Sequence, residues 1–238
     1  MNTQMAIRLP NIRPTTEYIS NICSHIIERR REKSHEEKSW NSLDKHNFFK
    51  PFKKTLIADF GREEANRIWE DASQKLDRVI ASDPSIEDQN GALVIPIVAL
   101  YKTLEAHGKN AEELLNSFGD QRGEFFAKLV HVLTTPPGID KLLWKNIDRI
   151  MHVMSGPSFG YQRRIVSEPP DMYGVDILSC PYHEMAKNLG AEKAVLCICH
   201  MDKKYMQGFK HIRYERNTAV SEGAECCDYR LRYDPDKR

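Results

Sequence analysis

Apolar positions recur at three- and four-residue spacing through the first two thirds of the chain and at two-residue spacing in parts of the last third, which predicts helices followed by strands. Within "TTEYISNICSHIIERRREK", Ile19, Ile22, Cys23, Ile26 and Ile27 share one helical face before the pattern turns wholly charged. "FGREEANRIWEDASQKLDRVIAS" carries Ile68, Trp69, Leu76, Val79 and Ile80 at helical spacing, and "DPSIEDQNG" after it signals a loop. "ALVIPIVALYKTLEAHG" is the most apolar segment and predicts a central buried helix, with Pro96 early and Gly108 as its stop. "NAEELLNSFGDQRGEFFAKLVHVL" and "PGIDKLLWKNIDRIMHVM" continue the helical period, so about six helices are expected before residue 155.

Beyond "SGPSFG" the period shortens. "YQRRIVSE" and "MYGVDILS" predict two strands around the turn dipeptide Pro170-Asp171, and "KHIRYERN" and "CCDYRLRYD" predict two more around "SEGAE". Between the pairs, "CPYHEMAKNLG" and "AEKAVLCICHMDKKYMQGF" read as helices, the first with Cys180 in the N-cap region and Pro181 at its first position. The expected class is α+β: a helical N-terminal half packed against a C-terminal antiparallel sheet of about four strands with intervening helices. The expected division is a helical extension over residues 1–58 and an α+β domain over 59–238, its helices in 59–155 and its sheet in 156–238.

The charge balance narrows the partners. Thirty-five Lys and Arg against thirty-four Asp and Glu leave a formal charge of +1, too little to steer nucleic acid or an anionic membrane. The mixed-sign run "ERRREKSHEEK" reads as a solvated helix end. With no membrane-length apolar run and no signal-like start, the expectation is a cytoplasmic protein with a small-molecule substrate, and a homo-oligomer is compatible with the composition. Six cysteines in a reducing compartment point to catalysis, metal binding or burial ahead of disulfides.

Three of those cysteines fall in or beside "SCPYHEMAKNLGAEKAVLCICHMDKKY" and a fourth starts the last strand pair. A thiol at a helix start faces backbone N–H groups that favour the thiolate, and His183, three residues on, is placed to take its proton or share a metal. The plain alternative is a small buried Cys180 and a surface His183. Cys199 and Asp202 share a helical face with Val195 and Met206, whereas Cys197 and His200 face elsewhere. A carboxylate among core-type residues is costly without a partner, which singles out Asp202; a local salt bridge with Lys203 or Lys204 is the plain alternative. Strand alternation sends Cys227, Tyr229, Leu231 and Tyr233 to one face and Asp228, Arg230 and Arg232 to the other. Cys180, Cys199 and Cys227, with Asp202 or His183 as a fourth group, match zinc ligand types, though no C-x-x-C or H-x-x-x-H pair supports them.

The strings "YGVDILSCPYHEMAKNLGAEKAVLCICHMDKKYMQGF" and "YERNTAVSEGAECCDYRL" together resemble the L-2-amino-thiazoline-4-carboxylic acid hydrolase family. Its elements fall on Cys180-Pro181-Tyr182, on Cys199 and Asp202, and on Arg216, Thr218, Gly223, Cys227, Asp228 and Tyr229. The resemblance implies a hydrolase that opens a cyclic C=N ring bearing a carboxylate, giving a carbamoyl-cysteine. It implies catalytic roles for Cys180, His183, Cys199, Asp202, Cys227 and Asp228, and substrate contacts from Tyr182, Arg216 and Thr218. Asp202 or a metal-bound hydroxide would activate water, Cys180 with His183 would act as nucleophile or acid, and Arg216 would clamp the carboxylate. Asn217, Ala219 and Val220 depart from the pattern, so a different substrate is one alternative. A non-catalytic ligand-binding domain of the vinyl-reductase type is the other.

Overall fold

Phe52 and Leu56, one turn apart, and Ile68, Trp69, Ala72 and Leu76 in the next segment give two successive helices a common buried side. These are α1 (Lys50–Phe60) and α2 (Arg62–Ser82), broken apart at Gly61, whose φ of +80° suits glycine. The molecule is seen in a computed structural model that describes residues 43–82 and 90–237, all within one unit, Asn41–Arg238. The helix expected around Ile19 to Ile27 and most of the "DPSIEDQNG" loop lie outside the described residues. α1 was not foreseen, because "KPFKKTLIADF" places only a few apolar residues in a charged background.

The apolar segment forms α3 (Gly91–Ala106), buried on nearly every side, and Pro96 sits inside it without ending it. α4 (Ala111–Thr134) opens with Asn110, whose side chain accepts the Glu113 backbone N–H at 3.2 Å. The single helix expected over "PGIDKLLWKNIDRIMHVM" is two, α5 (Ile139–Lys145) and α6 (Ile147–Met154). The break has a local cause: the Asn146 amide donates to the Leu142 carbonyl at 2.8 Å, a side-chain bond that competes with the helical ladder.

The four expected strands form: β1 (Gln162–Ser167), β2 (Tyr173–Ser179), β3 (Ile212–Glu215) and β4 (Cys227–Tyr233). They make one antiparallel sheet in the order β1-β2-β4-β3. Two helices, α7 (Pro181–Asn188) and α8 (Leu196–Tyr205), connect β2 to β3. The class is α+β, as the periodicity predicts. Tyr173, Val175, Ile177, Ile212, Tyr214, Cys227 and Leu231 turn inward, while outside Asp176 takes Arg164 at 2.8 Å and Arg230 at 2.7 Å.

Two contacts fix the helices on which the site depends. α4 and α8 cross with their backbones touching. A Cβ at Gly119 would fall 2.2 Å from the Cys197 carbonyl oxygen, and one at Gly123 would fall 2.6 Å from that of Met201. Elsewhere, Asp140 of α5 accepts from Tyr233 Oη at 2.6 Å and from His211 Nδ1 at 2.7 Å, tying α5 to the end of the β3–β4 pair where Ile212 faces Tyr233.

Candidate active site

The periodicity that puts Val195, Cys199, Asp202 and Met206 on one face also points that face at an internal cavity, and all four line it. The cavity measures about 250 Å³ and lies where the helical and the sheet-backed apolar clusters meet. Strand alternation supplies Cys227, Tyr229 and Leu231 from β4, and Cys180 enters from the start of α7. α6 forms the facing wall with Ile147, Ile150, Met151 and Met154, one apolar stripe at helical spacing, and Met154 is half exposed at the mouth.

The polar groups gather at one corner around Asp202. Tyr229 Oη donates to Asp202 Oδ2 at 2.7 Å, Arg216 Nη1 at 3.3 Å and Tyr214 Oη at 3.5 Å, and the Tyr205 hydroxyl also bonds the carboxylate. About a fifth of the Asp202 side chain is accessible, on a residue that lines the cavity. Burial pushes its carboxyl above the usual range, against the opposing pull of Tyr229 and Arg216. The local alternative is not what forms, since Lys204 pairs with Glu124 at 3.5 Å.

Arg216 exposes only 4% of its side chain and turns both Nη atoms into the wall. Besides Asp202, its Nη1 reaches Tyr229 Oη at 3.2 Å and its Nη2 donates to the Cys199 carbonyl at 3.0 Å. The guanidinium also stands over the Tyr229 ring at 5.6 Å. It therefore braces Asp202.

The three expected thiols line the same cavity, along with Tyr182, whose ring meets that of Tyr161 edge-on at 6.2 Å. Cys199 Sγ lies 3.1 Å from Ser221 Oγ, and Cys227 Sγ accepts the Val220 N–H at 3.3 Å. At Cys180 the helix-start amides of His183 and Tyr182 do bond the sulfur, as expected of an N-terminus. Burial outweighs them and pushes the thiol up to about 12, and it pushes Cys227 up to about 11. These are thiols at neutral pH, which corrects the expectation of a favoured thiolate.

His183, Thr218 and Asp228 are not among the lining residues. His183 Nδ1 is buried without a hydrogen-bond partner. Asp228 points to the opposite side of β4, where Oδ1 accepts from the backbone N–H groups of Asn217 and Thr218, both at 2.7 Å, and from Thr218 Oγ1 at 3.0 Å. Burial raises the Asp228 carboxyl, but those donors more than offset it and hold it below the usual range. The pair rivets the segment that follows β3 onto β4, and so sets where Arg216, Val220 and Ser221 meet the cavity. Cys197 packs against Gly119 and His200 pairs with Asp120 at 3.3 Å, both away from the cavity.

Among the described residues, no three His, Cys, Asp or Glu side chains stand close enough to hold a metal ion together. The donor set expected for zinc on Cys180, Cys199 and Cys227 is thus not gathered. Sequence reasoning missed Tyr161, Tyr205, Tyr214 and Ser221. A signal for Tyr214 was present, since it alternates with Ile212 on the inward face of β3.

A sequence model of the family described as L-2-amino-thiazoline-4-carboxylic acid hydrolase matches residues 88–231, more than half of the chain. The chain belongs to that family. The thiazoline-carboxylate hydrolase match takes in α3 to α8 and most of the sheet, hence every residue of the Asp202 corner. No curated protein matches this hydrolase-family chain. Among solved structures, one described as "Probing the function of heme distortion in the H-NOX family" is 14% identical, with a TM-score of 0.32, covering 78% of this chain and 93% of its own. Another, "Cs H-NOX mutant with unnatural amino acid 4-cyano-L-phenylalanine at site 5", is 16% identical, with a TM-score of 0.29, covering 79% and 95%. Neither likeness bears on the ligand of this family member. Among the described residues no helix is long and apolar enough to cross a membrane.

Proposed function

We propose that this family member hydrolyses a thiazoline-type C=N ring of a small molecule held in the cavity, with Asp202 as the proton-transfer group. The observation that carries this reading is a buried carboxylate at the cavity wall whose positive and hydroxyl neighbours hold it in place. A carboxyl raised toward neutrality suits a group that takes and returns protons within one turnover. In its ionised form Asp202 takes a proton from water as the oxygen bonds to the ring carbon, and passes that proton to the ring nitrogen. The hydroxyl so formed then gives its own proton to Asp202 as the carbon–sulfur bond breaks, and Asp202 hands it to the departing sulfur. Water is consumed, an amide-type carbonyl and a free thiol are formed, and the carboxylate is regenerated.

In this reading burial keeps Cys180, Cys199 and Cys227 protonated, so the attack belongs to water, and no step passes through a metal. The test incubates purified protein with thiazolines, including 2-amino-thiazoline-4-carboxylate, and follows thiol release together with the ring-opened mass. Asp202→Asn, which keeps the hydrogen-bonding shape but never ionises, is expected to lose about 100-fold or more in turnover. Full activity in a folded Asp202→Asn variant would remove Asp202 from the chemistry. A second reading, a ligand-binding domain without turnover, is favoured by the hydrocarbon character of the other walls; it expects saturable binding and no thiol release.

A further inference from the structure

Formal charge enters the cavity at one place. Among its lining side chains only Asp202 and Arg216 bear one, and they lie 3.3 Å apart. Arg216 directs its Nη atoms at Asp202, Tyr229 and the Cys199 carbonyl and leaves only 4% of its side chain accessible, so the cation presents little surface to a ligand. Burial raises the Cys180, Cys199 and Cys227 thiols and the Tyr161, Tyr205 and Tyr229 hydroxyls, so these groups are neutral. With Asp202 ionised, the wall is therefore electrically matched before any ligand arrives.

Away from that corner the walls are mostly apolar, with Ser155, Tyr161, Cys180 and Tyr182 as the uncharged polar exceptions. Ile147, Ile150, Met151 and Met154 of α6 run from the interior to the mouth, and Ile198 and Phe209 add further apolar lining. An anionic ligand would shed its water here and meet little of that cation, which disfavours a buried charge without a full partner. An uncharged ring with an apolar substituent meets no such penalty and gains from every apolar contact along α6. The volume of about 250 Å³ falls just under the roughly 300–1,000 Å³ common for drug-sized ligands, which suits a compact molecule.

Taking the reacting ring from the hydrolase reading above, we infer that this chain accepts an uncharged thiazoline-type ring bearing an apolar group, and discriminates against ring carboxylates. The ring sits against Asp202 and the apolar group lies along α6 toward Met154. The carboxylate in the family's own name is the feature this cavity does not match.

The experiment is calorimetric titration of the full chain at pH 7 with a matched pair, 2-phenyl-2-thiazoline and 2-phenyl-2-thiazoline-4-carboxylate. The uncharged ring is expected to bind about tenfold or more tightly than its carboxylate. Equal or tighter binding of the carboxylate, or no binding of the uncharged ring, overturns the inference. Ile150→Arg, at a half-buried position on the α6 wall, places an open cation in the cavity and is expected to shift the preference toward the carboxylate by about tenfold or more. An unchanged preference in the folded variant also overturns it. Thiol release is read separately. Selective binding without release removes the hydrolase reading and leaves the ligand class standing, whereas release from the carboxylate with no selectivity does the reverse.

Discussion

Asp202 owes its chemistry to its neighbours, and Tyr229 is the nearest of them. Its hydroxyl, 2.7 Å away, favours the ionised carboxylate, while burial favours the neutral acid. Removing the hydroxyl leaves burial less opposed and moves the carboxyl further up. In the proposed reaction the ionised form does the work, so activity rises with pH through that ionisation. Tyr229→Phe is therefore expected to move the acid limb of the pH–rate profile to higher pH, while turnover above the limb falls by at most about tenfold, the worth of one hydrogen bond. A limb that stays in place, measured on ring opening across the acid and neutral range, would show that Tyr229 does not tune the reacting group. At this scale much of the site is legible in the sequence. The shared face of Cys199 and Asp202 and the alternation of Cys227 and Tyr229 follow from helical and strand periods alone. The role of Arg216 does not, because how a guanidinium is engaged depends on Asp202 and the Cys199 carbonyl of α8 and on Tyr229 of β4, two segments distant from it and from each other in sequence. The raised thiols are equally out of reach, since burial at Cys180 comes from packing, and a helix start by itself argues the other way.

Among the elements, α8 carries the site and α4 determines where α8 can sit. Their glycine seam leaves no room for a side chain: even one methyl at Gly123 meets the Met201 backbone oxygen and Lys204 Cβ, at 2.6 and 2.5 Å. Gly123→Ala is expected to cost about 1–3 kcal/mol of stability in denaturant titration, the usual penalty for overfilling a tight contact. Because the overlap pushes α8 itself, ring opening should fall along with stability even under conditions where the variant is fully folded. Stability loss with unchanged turnover would show that α8 shifts without moving Asp202. Glycines spaced four apart on one helix are visible in "FGDQRGEFF", but which helix they meet is a matter of tertiary packing. The division of α5 from α6 was hidden for a different reason. The apolar period runs unbroken across it, and the cause is one amide side chain bonding back to Leu142.

Across the whole molecule, Asp140 joins the helical part to the far end of the sheet. The Tyr233 hydroxyl, then His211, hold its carboxyl well below the usual range despite its burial. A group with a depressed ionisation in the folded state adds stability above its unfolded value, near pH 4, and loses that contribution as the pH falls through the folded value. Asp140→Asn is thus expected to cost about 1–3 kcal/mol near neutral pH, with the gap to the parent protein closing in acid. Thermal melts over a pH series check this, and a gap independent of pH would mean the charge of Asp140 does not matter. The α+β class and strand positions were legible because short β-rich runs are set off by turn residues, although only β3 alternates strictly between buried and exposed positions. The cavity was not, since it arises where two apolar clusters fail to fill the space between them.

The glycine seam has a consequence for descent as well as for packing. Where two backbones touch, neither strand of the contact can gain bulk unless the other yields in the same step, so Gly119 and Gly123 tie the histories of α4 and α8 together. The α6 wall is under no such bond, for it meets the cavity through side chains alone, isoleucines and flexible methionines that accept replacement one at a time. Lineages of this protein should therefore change what they bind by drifting along α6, while the floor that carries Asp202 stays as it was inherited.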